Sequence, residues 1–411
     1  MILRMMRDAP TALIVESLRA RPRSLRIAVV TETWPPEVNG VAMSMSRIVE
    51  GLHARRHDVQ LIRPRQGSGE QQSFAPTEQV LTGSWPVPRY PHLRMGVPSK
   101  PTLVRLWSLR RPDVVHIATE GPLGWSALQA ARHLRLPVTS DFRTNFHVYG
   151  HHYGIGWLAK PILAYLRKFH NQADCTMVPT EALRSDLAAR RFERMHVVGR
   201  GVDTDLFSPA KRSATLRRRW VERDDDAVAL YVGRLAAEKN LATVLAAFEA
   251  LRDTHGWIRL VLVGDGPLRA ELEHRFPLAI FAGHRTGEDL AAHYASADMF
   301  LFPSLTETYG NVTTEAMASG LPVVAFDHAA AGQWIDDGFN GMLAADTRNE
   351  SFVDAAMALG RDAARRATIG AAARDTALGM AWTGVVARFE SVLLQATEAR
   401  RYEVLRPAHA V

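Results

Sequence analysis

Glu307 and Glu315 are the residues of this sequence whose spacing most clearly predicts chemistry. They flank the turn Tyr309-Gly310-Asn311, with seven residues between them, and an apolar run precedes them. This pattern predicts a strand, a polar turn and a helix that starts near Asn311. The N–H groups of a helix start bind anions, and carboxylates accept hydrogen bonds from sugar hydroxyls. The segment therefore predicts a pocket for a nucleotide sugar.

A second group of residues follows the strand predicted over 227–232. Gly233 opens a loop in which Arg234 and Lys239 place a guanidinium and an ammonium group close together in sequence. Arginine suits two-point contact with phosphate and lysine adds a point charge, so this pair could neutralise a departing diphosphate. The structural alternative is that both cations pair with Glu238 or face solvent.

The two carboxylates are also compatible with roles outside a nucleotide-sugar pocket. The helix dipole favours acidic side chains in a first turn, which would account for Glu315 alone. A pair of carboxylates also performs glycoside hydrolysis, so a glycosidase is an alternative enzyme class. Such an enzyme would release sugar from a glycan without needing a nucleotide.

Two loops of the N-terminal half also follow predicted strands. Asn39 and Gly40 come after the apolar run over 25–30, and Gly40 would let a backbone N–H approach a phosphate; a plain turn is the alternative. Arg143 and His147 come after the run over 138–140, among aromatic residues and further histidines. This second loop favours acceptor recognition over structural packing, and over a metal site because no cysteine lies near it.

Two other patterns carry less chemistry. Asp203-Thr-Asp205 imitates a metal-binding Asp-x-Asp motif, but its surroundings favour a turn or an interface, so we predict no metal site. Gly264-Asp-Gly-Pro does not continue into the glycine fingerprint of dinucleotide-binding proteins, which argues against a dehydrogenase.

The composition is that of a globular protein of two or three domains. The chain has 411 residues, 47% of them hydrophobic and 23% charged, and no apolar run reaches membrane-spanning length. Its one cysteine, Cys175, excludes an internal disulfide and a cysteine zinc cluster. The N-terminus lacks the features of a secretory signal, so we expect a cytoplasmic protein.

A formal net charge of +7 is compatible with several anionic partners. The basic residues are dispersed and are not interleaved with aromatic residues, so nucleic acid is not expected as a partner. Dispersed positive charge together with a lipid-linked acceptor would favour peripheral contact with the anionic inner face of a membrane.

Strand and helix patterns alternate along both halves of the chain, which predicts an α/β protein with two Rossmann-like, doubly wound parallel sheets. We expect a basic extension over 1–24, an acceptor-side domain over 25–200 and a nucleotide-sugar domain over 201–380. Residues 64–101 give no firm pattern, and residues 350–400 predict helices. Ligands bind beyond the carboxyl ends of such strands, so the cleft between the domains is the expected active site.

With these motifs in place, the sequence resembles the retaining GT-B glycosyltransferases of family 4 over about residues 25–390. The resemblance is carried by Glu-x7-Glu at 307–315, Gly-Arg-Leu-x-x-Glu-Lys-Asn at 233–240, Gly-Val-Asp-Thr-Asp-Leu-Phe at 201–207 and Pro-Pro-x-x-Asn-Gly at 35–40. Within that family it is most similar to the mannosyl- and glucosyltransferases that act on lipids or glycans. The resemblance also implies that the helices past about residue 380 return to the first domain.

The resemblance implies a role for most of the residues above. Arg234 and Lys239 would bind the donor diphosphate, Glu315 the ribose, and Glu307 with the backbone of Tyr309, Gly310 and Asn311 the donor sugar. Gly40 would approach the phosphate or the acceptor, and the Gly283 loop would face the base. The resemblance also implies retention of the anomeric configuration and no cofactor, since such enzymes need no metal.

One position departs from the family pattern. Relatives often carry a histidine where this sequence has Arg143, and an arginine cannot act as a neutral base. The change is compatible with an anionic acceptor. The predicted function is transfer of mannose or glucose from a nucleoside diphosphate sugar, of the GDP-mannose or UDP-glucose type, to a lipid-linked or glycan hydroxyl. A nucleotide-sugar epimerase and a non-catalytic nucleotide-sugar binding protein are the alternatives.

Overall fold

The computed structural model describes residues 24–37, 40–66, 78–87, 90–143, 159–223, 226–255, 258–307 and 309–405. Within these ranges the chain forms two parallel sheets, one in each half, with helices packed against them. The predicted doubly wound α/β architecture is therefore confirmed. None of the helices in these ranges combines the length and apolar character that crossing a membrane requires. Of the predicted extension over 1–24, only Ser24 is among the described residues.

The first sheet has the strand order β3-β2-β1-β6-β7-β8-β9, and its pairings are parallel. The strands of this half are β1 (Arg26–Val30), β2 (Asp58–Pro64), β3 (Glu78–Thr82), β4 (Ser84–Val87), β5 (Tyr90–Gly96), β6 (Val114–Ile117), β7 (Val138–Asp141), β8 (Cys175–Val178) and β9 (Met195–Val197). Strands β4 and β5 form a separate antiparallel hairpin. Alternate residues of β1 enter apolar clusters on opposite faces of the sheet, which explains its uninterrupted apolar run.

Helices cover both faces of this sheet. They are α1 (Gly40–Ala54), α2 (Lys100–Leu109), α3 (Pro122–His133), α4 (Ala159–His170) and α5 (Glu181–Ala189). Met45 and Ile48 of α1 are buried on the face that contains Val29 of β1. Trp107 of α2 and Leu123 of α3 are buried on the opposite face.

The second sheet has the strand order β12-β11-β10-β13-β14-β15 and is also parallel. Its strands are β10 (Ala227–Val232), β11 (Ile258–Val263), β12 (Ile280–Gly283), β13 (Met299–Phe302), β14 (Val323–Phe326) and β15 (Met342–Ala344). The helices of this half are α6 (Ala214–Arg217), α7 (Leu241–His255), α8 (Arg269–Arg275), α9 (Gly287–Ser296), α10 (Asn311–Ala318), α11 (Ala329–Trp334), α12 (Asn349–Gly360) and α13 (Ala363–Leu378). Strand β10 has the bounds that the sequence predicts, and helix α10 begins at Asn311, where the sequence predicts a helix start.

The last helix, α14 (Trp382–Leu405), packs on the first sheet. Phe389 and Leu393 are fully buried there, in the same cluster as Met45 of α1. Glu390 of α14 accepts hydrogen bonds from Arg55 at 2.6 Å and from His57 at 2.7 Å. The end of the chain is therefore tied to the N-terminal half, while the domain boundary near residue 200 stays a prediction.

Two local features differ from the sequence prediction. Helix α1 begins at Gly40, whereas the sequence predicts that the turn continues through this residue. Residues 64–101, for which the sequence gives no firm pattern, contain β3, the β4–β5 hairpin and the start of α2. The hairpin is half-exposed where it is described, so its residues lack the continuous apolar run by which the buried parallel strands are recognised.

Candidate active site

The predicted site residues lie at the carboxyl edges of the two sheets. In the second sheet, Arg234 follows β10, Gly283 ends β12 and Glu307 follows β13. In the first sheet, Gly40 follows β1 and Arg143 follows β7. Because parallel strands end at a common edge, residues far apart in sequence come together there.

Lys239 and Glu307 form an ion pair at this edge of the second sheet. The ammonium group of Lys239 donates a hydrogen bond to Oε1 of Glu307, and the Ser304 hydroxyl donates to the same oxygen at 3.0 Å. The two charged side chains are 12% and 18% exposed, so their attraction is only partly screened by water. The pair places a cation and a hydrogen-bond acceptor side by side.

Arg234 lies in the same loop as Lys239 but is more exposed. Its Nη1 is 3.6 Å from the buried Glu238 carboxylate, and 44% of the side chain is accessible to solvent. The structural alternative therefore holds in part for Arg234, whereas Lys239 pairs with Glu307. An exposed guanidinium held loosely by one carboxylate can still offer its N–H groups to a phosphate.

Three glycines hold the loops of β10, β11 and β12 close together. Gly233 donates its N–H to Val263 at 3.0 Å, and Gly264 donates to the carbonyl of Gly283 at 2.9 Å. At Gly264, where φ is +138°, a Cβ atom would lie only 2.0 Å from the Gly233 carbonyl oxygen. Only glycine permits this approach, and it fixes the loop that carries Arg234.

Glu315 lies one turn into α10, where its carboxylate accepts a hydrogen bond from the hydroxyl of Tyr294 at 3.0 Å. Burial raises the pKa of Glu315 to about 7, although the hydrogen bond from Tyr294 acts in the opposite direction. Removal of this carboxylate from water prepares it to accept hydrogen bonds from a ligand's hydroxyl groups. Gly310, with φ of +88°, turns the chain into this helix.

The side chain of Tyr309 is part of the protein interior. Its hydroxyl donates to the carbonyl of Arg200 at 3.0 Å and accepts from Nε1 of Trp334 at 3.1 Å. Burial raises the pKa of Tyr309 to about 12, so the phenol stays protonated. Any contact of Tyr309 with a donor sugar would therefore involve its main chain, as predicted.

Asn311, the first residue of α10, connects the carboxyl edge of the second sheet with that of the first. Its Oδ1 accepts a hydrogen bond from Nη1 of Arg200 at 3.3 Å. A Cβ atom on Gly40 would lie 3.1 Å from this nitrogen and 3.5 Å from Nδ2 of Asn311. Gly40 and Asn311, predicted as donor-binding residues from opposite halves of the chain, thus meet around Arg200.

Arg143 is buried and pairs with Asp141 at the end of β7. The same Asp141 oxygen lies 3.2 Å from Nε2 of His116. Burial alone would raise the pKa of Asp141, but the charge of Arg143 and the contact with His116 outweigh it and lower this pKa to about 2. The acceptor-binding role of Arg143 stays a prediction, and Asn39 and His147 lie outside the described residues.

Asp203 makes both of the contacts predicted as the alternative to metal binding. Its Oδ1 accepts the N–H of Leu206 at 3.0 Å, which closes a turn, and its Oδ2 accepts from Arg47 of α1 at 2.7 Å. Among the residues that the structure describes, no three His, Cys, Asp or Glu side chains are grouped closely enough to hold a metal ion.

Sequence reasoning does not single out several side chains that touch the predicted residues: Tyr294, Ser304, His328 and Arg200. Ser304 and His328 immediately follow β13 and β14, and His328 lies 3.1 Å from the Glu307 carbonyl. Arg200 follows β9 by three residues. Their position after buried strands is the signal that could have identified Ser304 and His328, whereas Arg200 follows the partly exposed edge strand β9 and Tyr294 lies within an apolar helix pattern.

Comparison with known proteins matches both halves of the chain to glycosyltransferase families. Residues 38–206 match the family described as Glycosyltransferase Family 4, and residues 226–362 match Glycosyl transferases group 1. A GDP-mannose-dependent alpha-mannosyltransferase of Mycolicibacterium smegmatis is 35% identical over 380 residues, which cover 90% of this chain and 98% of the relative. An alpha-monoglucosyldiacylglycerol synthase of Streptococcus pneumoniae is 26% identical, over 78% of this chain and 75% of the relative.

The fold is also found among solved structures. HepE of Anabaena, solved in complex with UDP and glucose, superposes with a TM-score of 0.69 at 18% identity. The match covers 90% of this chain and 99% of HepE. At this level of identity the likeness establishes the fold alone, and it confirms the predicted GT-B arrangement.

Proposed function

This chain belongs to family 4 of the glycosyltransferases, and we propose that it transfers mannose from GDP-mannose to a lipid-linked hydroxyl with retention of the anomeric configuration. Transfer of a hexose from a nucleoside diphosphate sugar is the activity of the family. The choice of GDP-mannose rests on the 35% identical mannosyltransferase, and the choice of a lipid acceptor on the diacylglycerol named for the more distant relative. Neither the epimerase nor the non-catalytic alternative is favoured.

The arrangement of Lys239, Glu307 and Arg234 carries this proposal. When the bond between the sugar C1 and the β-phosphate oxygen breaks, negative charge develops on the diphosphate, and Lys239 and Arg234 stabilise it. Glu307, held by Lys239 and Ser304, accepts a hydrogen bond from a donor-sugar hydroxyl. The acceptor oxygen forms the new bond to C1, and its proton passes to the departing diphosphate.

The nucleoside part of the donor lies along the same edge of the second sheet. Glu315 accepts hydrogen bonds from the ribose hydroxyls, and the backbone near Gly283 faces the base. These residues bind the donor before and during transfer, so their loss would chiefly weaken donor binding. They need no metal in these roles, and we propose that the enzyme uses no cofactor.

The first sheet supplies the acceptor side, with Gly40 and Arg143 near the reacting hydroxyl; Asn39 and His147, which lie outside the described residues, are proposed for the acceptor side from the sequence alone. Helix α4 carries basic side chains, namely Lys160, Arg167 and Lys168. Positive charge of this kind attracts a protein to anionic lipids. We therefore place the enzyme in the cytoplasm, in peripheral contact with the inner face of the membrane.

The proposal is tested by incubating the purified protein with vesicles that contain diacylglycerol and an anionic phospholipid. Radiolabelled GDP-mannose and UDP-glucose are supplied separately, and the lipids are extracted and counted. We expect label in the lipid fraction from GDP-mannose, with an α-anomer by NMR. Transfer from UDP-glucose alone would refute the donor assignment.

Other outcomes of the same experiment would refute the activity itself. Release of free hexose that an acceptor does not suppress would indicate hydrolysis. Conversion of the sugar while it remains on its nucleotide, with no acceptor needed, would indicate an epimerase. Binding of the nucleotide sugar with no turnover under any acceptor condition would indicate a binding protein.

A further inference from the structure

We propose that Arg200 and the N-terminus of helix α1 form a phosphate subsite on the first-sheet side of the cleft. The subsite adjoins the start of α10, where Nη1 of Arg200 bonds to Asn311. This inference rests on the proposed function for the identity of the reaction, because a phosphate belongs there only if a phosphorylated substrate enters. The residue itself is a feature of this chain that the predicted donor site does not include.

The burial of Arg200 is the first observation. Only 7% of this residue is exposed, and its Nε has no hydrogen-bond partner within the described part of the chain. No carboxylate of the described residues lies within ion-pair distance of its guanidinium. A buried charge without a counterion loses its hydration and gains no ionic partner in return, so an oxyanion that occupies the site would offset this cost.

The position of the guanidinium is the second observation. A Cβ atom on Gly40, the first residue of α1, would lie 3.1 Å from Nη1 of Arg200. Helix α1 is fifteen residues long and has no acidic side chain in its first turn. The positive end of the helix dipole and the guanidinium of Arg200 therefore lie close together, and both attract an anion to the start of α1.

Neighbouring charges add to the same effect. Burial, followed by the positive charge of Arg143, lowers the pKa of Arg200 to about 10, so Arg200 remains protonated at neutral pH. Asp141 is already engaged by Arg143 and by His116. Glu307, the other carboxylate whose charge reaches Arg200, pairs with Lys239, so each of the two carboxylates has its own cation and the charge of Arg200 is left for a phosphate oxyanion to neutralise.

The phosphate could belong to the donor diphosphate or to an anionic acceptor headgroup. Nη1 of Arg200 also bonds to Asn311, whose backbone is predicted to hold the donor sugar. This contact places the subsite next to the sugar–phosphate junction and favours the donor. The chemistry is the same for both sources, and binding measurements with separate ligands distinguish them.

The experiment compares the wild type with Arg200→Gln, Arg200→Lys and the control Arg47→Gln. Arg47 on α1 pairs with Asp203 at 2.7 Å, so its loss removes another contact between the two halves without touching the subsite. Binding of inorganic pyrophosphate, GDP, UDP and guanosine is measured by calorimetry. We expect Arg200→Gln to weaken pyrophosphate and the diphosphates about 10- to 100-fold and to leave guanosine unchanged. Arg200→Lys should recover part of this loss, and Arg47→Gln should bind as the wild type does.

Pyrophosphate has neither base nor sugar, so the outcome does not depend on whether the donor is GDP-mannose. If pyrophosphate binding is unchanged but the KM of a phosphate-bearing acceptor rises about 10-fold in Arg200→Gln while that of a neutral acceptor does not, the phosphate is the acceptor's. Unchanged pyrophosphate binding together with unchanged acceptor KM values would overturn the subsite. Equal weakening of guanosine and pyrophosphate would also overturn it, since that pattern indicates general disruption.

Gly40→Ala tests the same subsite if the Arg200 variants do not fold. Its methyl group would lie 3.1 Å from Nη1 of Arg200 at the start of α1, so the guanidinium would have to shift, although its charge is kept. We expect loss of pyrophosphate affinity with an unchanged melting temperature. Wild-type pyrophosphate affinity in a folded Gly40→Ala protein would contradict the proposal.

Discussion

The hydroxyl of Tyr294 in α9 donates a hydrogen bond to the Glu315 carboxylate in α10 at 3.0 Å, and this contact joins two helices of the second sheet. Burial raises the pKa of Glu315 to about 7 despite this bond, whereas an unfolded chain would have a pKa near 4.5. The folded protein therefore holds this proton more tightly than the unfolded chain does. The contribution of Glu315 to stability is present below pH 4.5 and is lost as pH rises through 7.

The first prediction is that Glu315→Gln raises the melting temperature at pH 8 and weakens GDP binding. The amide carries no charge, so burying it does not become more costly as pH rises, and the gain over the wild type should shrink towards pH 5. Wild-type affinity for GDP should rise between pH 6 and 8 because the ionised carboxylate is the better acceptor. In Glu315→Gln it should be about 10-fold weaker at pH 8 and should keep only the pH dependence that the terminal phosphate of GDP itself contributes.

Dideoxy-GDP provides the matched ligand control for this prediction. It lacks the ribose hydroxyls, so the wild type and Glu315→Gln should bind it with similar affinity. A full loss of dideoxy-GDP affinity in the variant would show that Glu315 does not act through the ribose. Glu271→Gln, at an exposed residue of α8, should change neither the melting temperature nor the binding.

The second prediction concerns Lys239. Lys239→Ala should lower kcat by about 100-fold or more, because one preorganised donor to the departing diphosphate is lost. Lys211→Ala is the matched control, since Lys211 pairs with Glu288 at 2.9 Å on an exposed surface. The kcat of each variant is measured by steady-state kinetics with the donor at saturation. A kcat of Lys239→Ala within a few-fold of the wild type would remove Lys239 from the mechanism.

The third prediction concerns the glycine contact behind Arg234. Gly264→Ala should destabilise the protein by about 3 kcal/mol, because the methyl group would overlap the Gly233 carbonyl and φ is +138°. Gly287→Ala is the control: its φ is +54° but nothing lies within 4 Å of the added methyl, so about 1 kcal/mol of backbone strain is expected. Urea unfolding measures both values. Equal losses of stability in the two variants would show that the contact between Gly264 and the Gly233 carbonyl does not contribute.

The fourth prediction concerns the attachment of α14 to the first sheet. Burial would raise the pKa of Glu390, but hydrogen bonds from Arg55 and His57 outweigh it and lower this pKa. Its stabilising contribution is therefore present above pH 4.5 and is lost as pH falls through the lowered value. Glu390→Gln should cost about 1–2 kcal/mol at pH 7, and this cost should shrink as pH falls below 4.5, as measured by urea unfolding. A loss of the same size at pH 7 and below pH 4.5 would show that the charge of Glu390 is not responsible.

The sequence predicts most strands and helices near the site, because buried parallel strands and amphipathic helices have recognisable local patterns. It does not predict the β4–β5 hairpin, whose residues are half-exposed where described and lack such a pattern. It also predicts two possible partners for Lys239, Glu238 or solvent, and the structure pairs this residue with Glu307. The two residues are 68 positions apart, and no local pattern encodes which strand ends become neighbours.

By itself, the sequence determined the fold class, the family and the chemical types of the groups at the strand ends, because these depend on residue identity and short-range spacing. Only the tertiary structure decided which of these groups meet and how they are solvated. It buried Glu315 beside Tyr294, placed the Tyr309 side chain in the interior and brought Arg200 to Asn311, 111 positions away. Burial and charge proximity are properties of the packed chain, and they determine the electrostatics of the site.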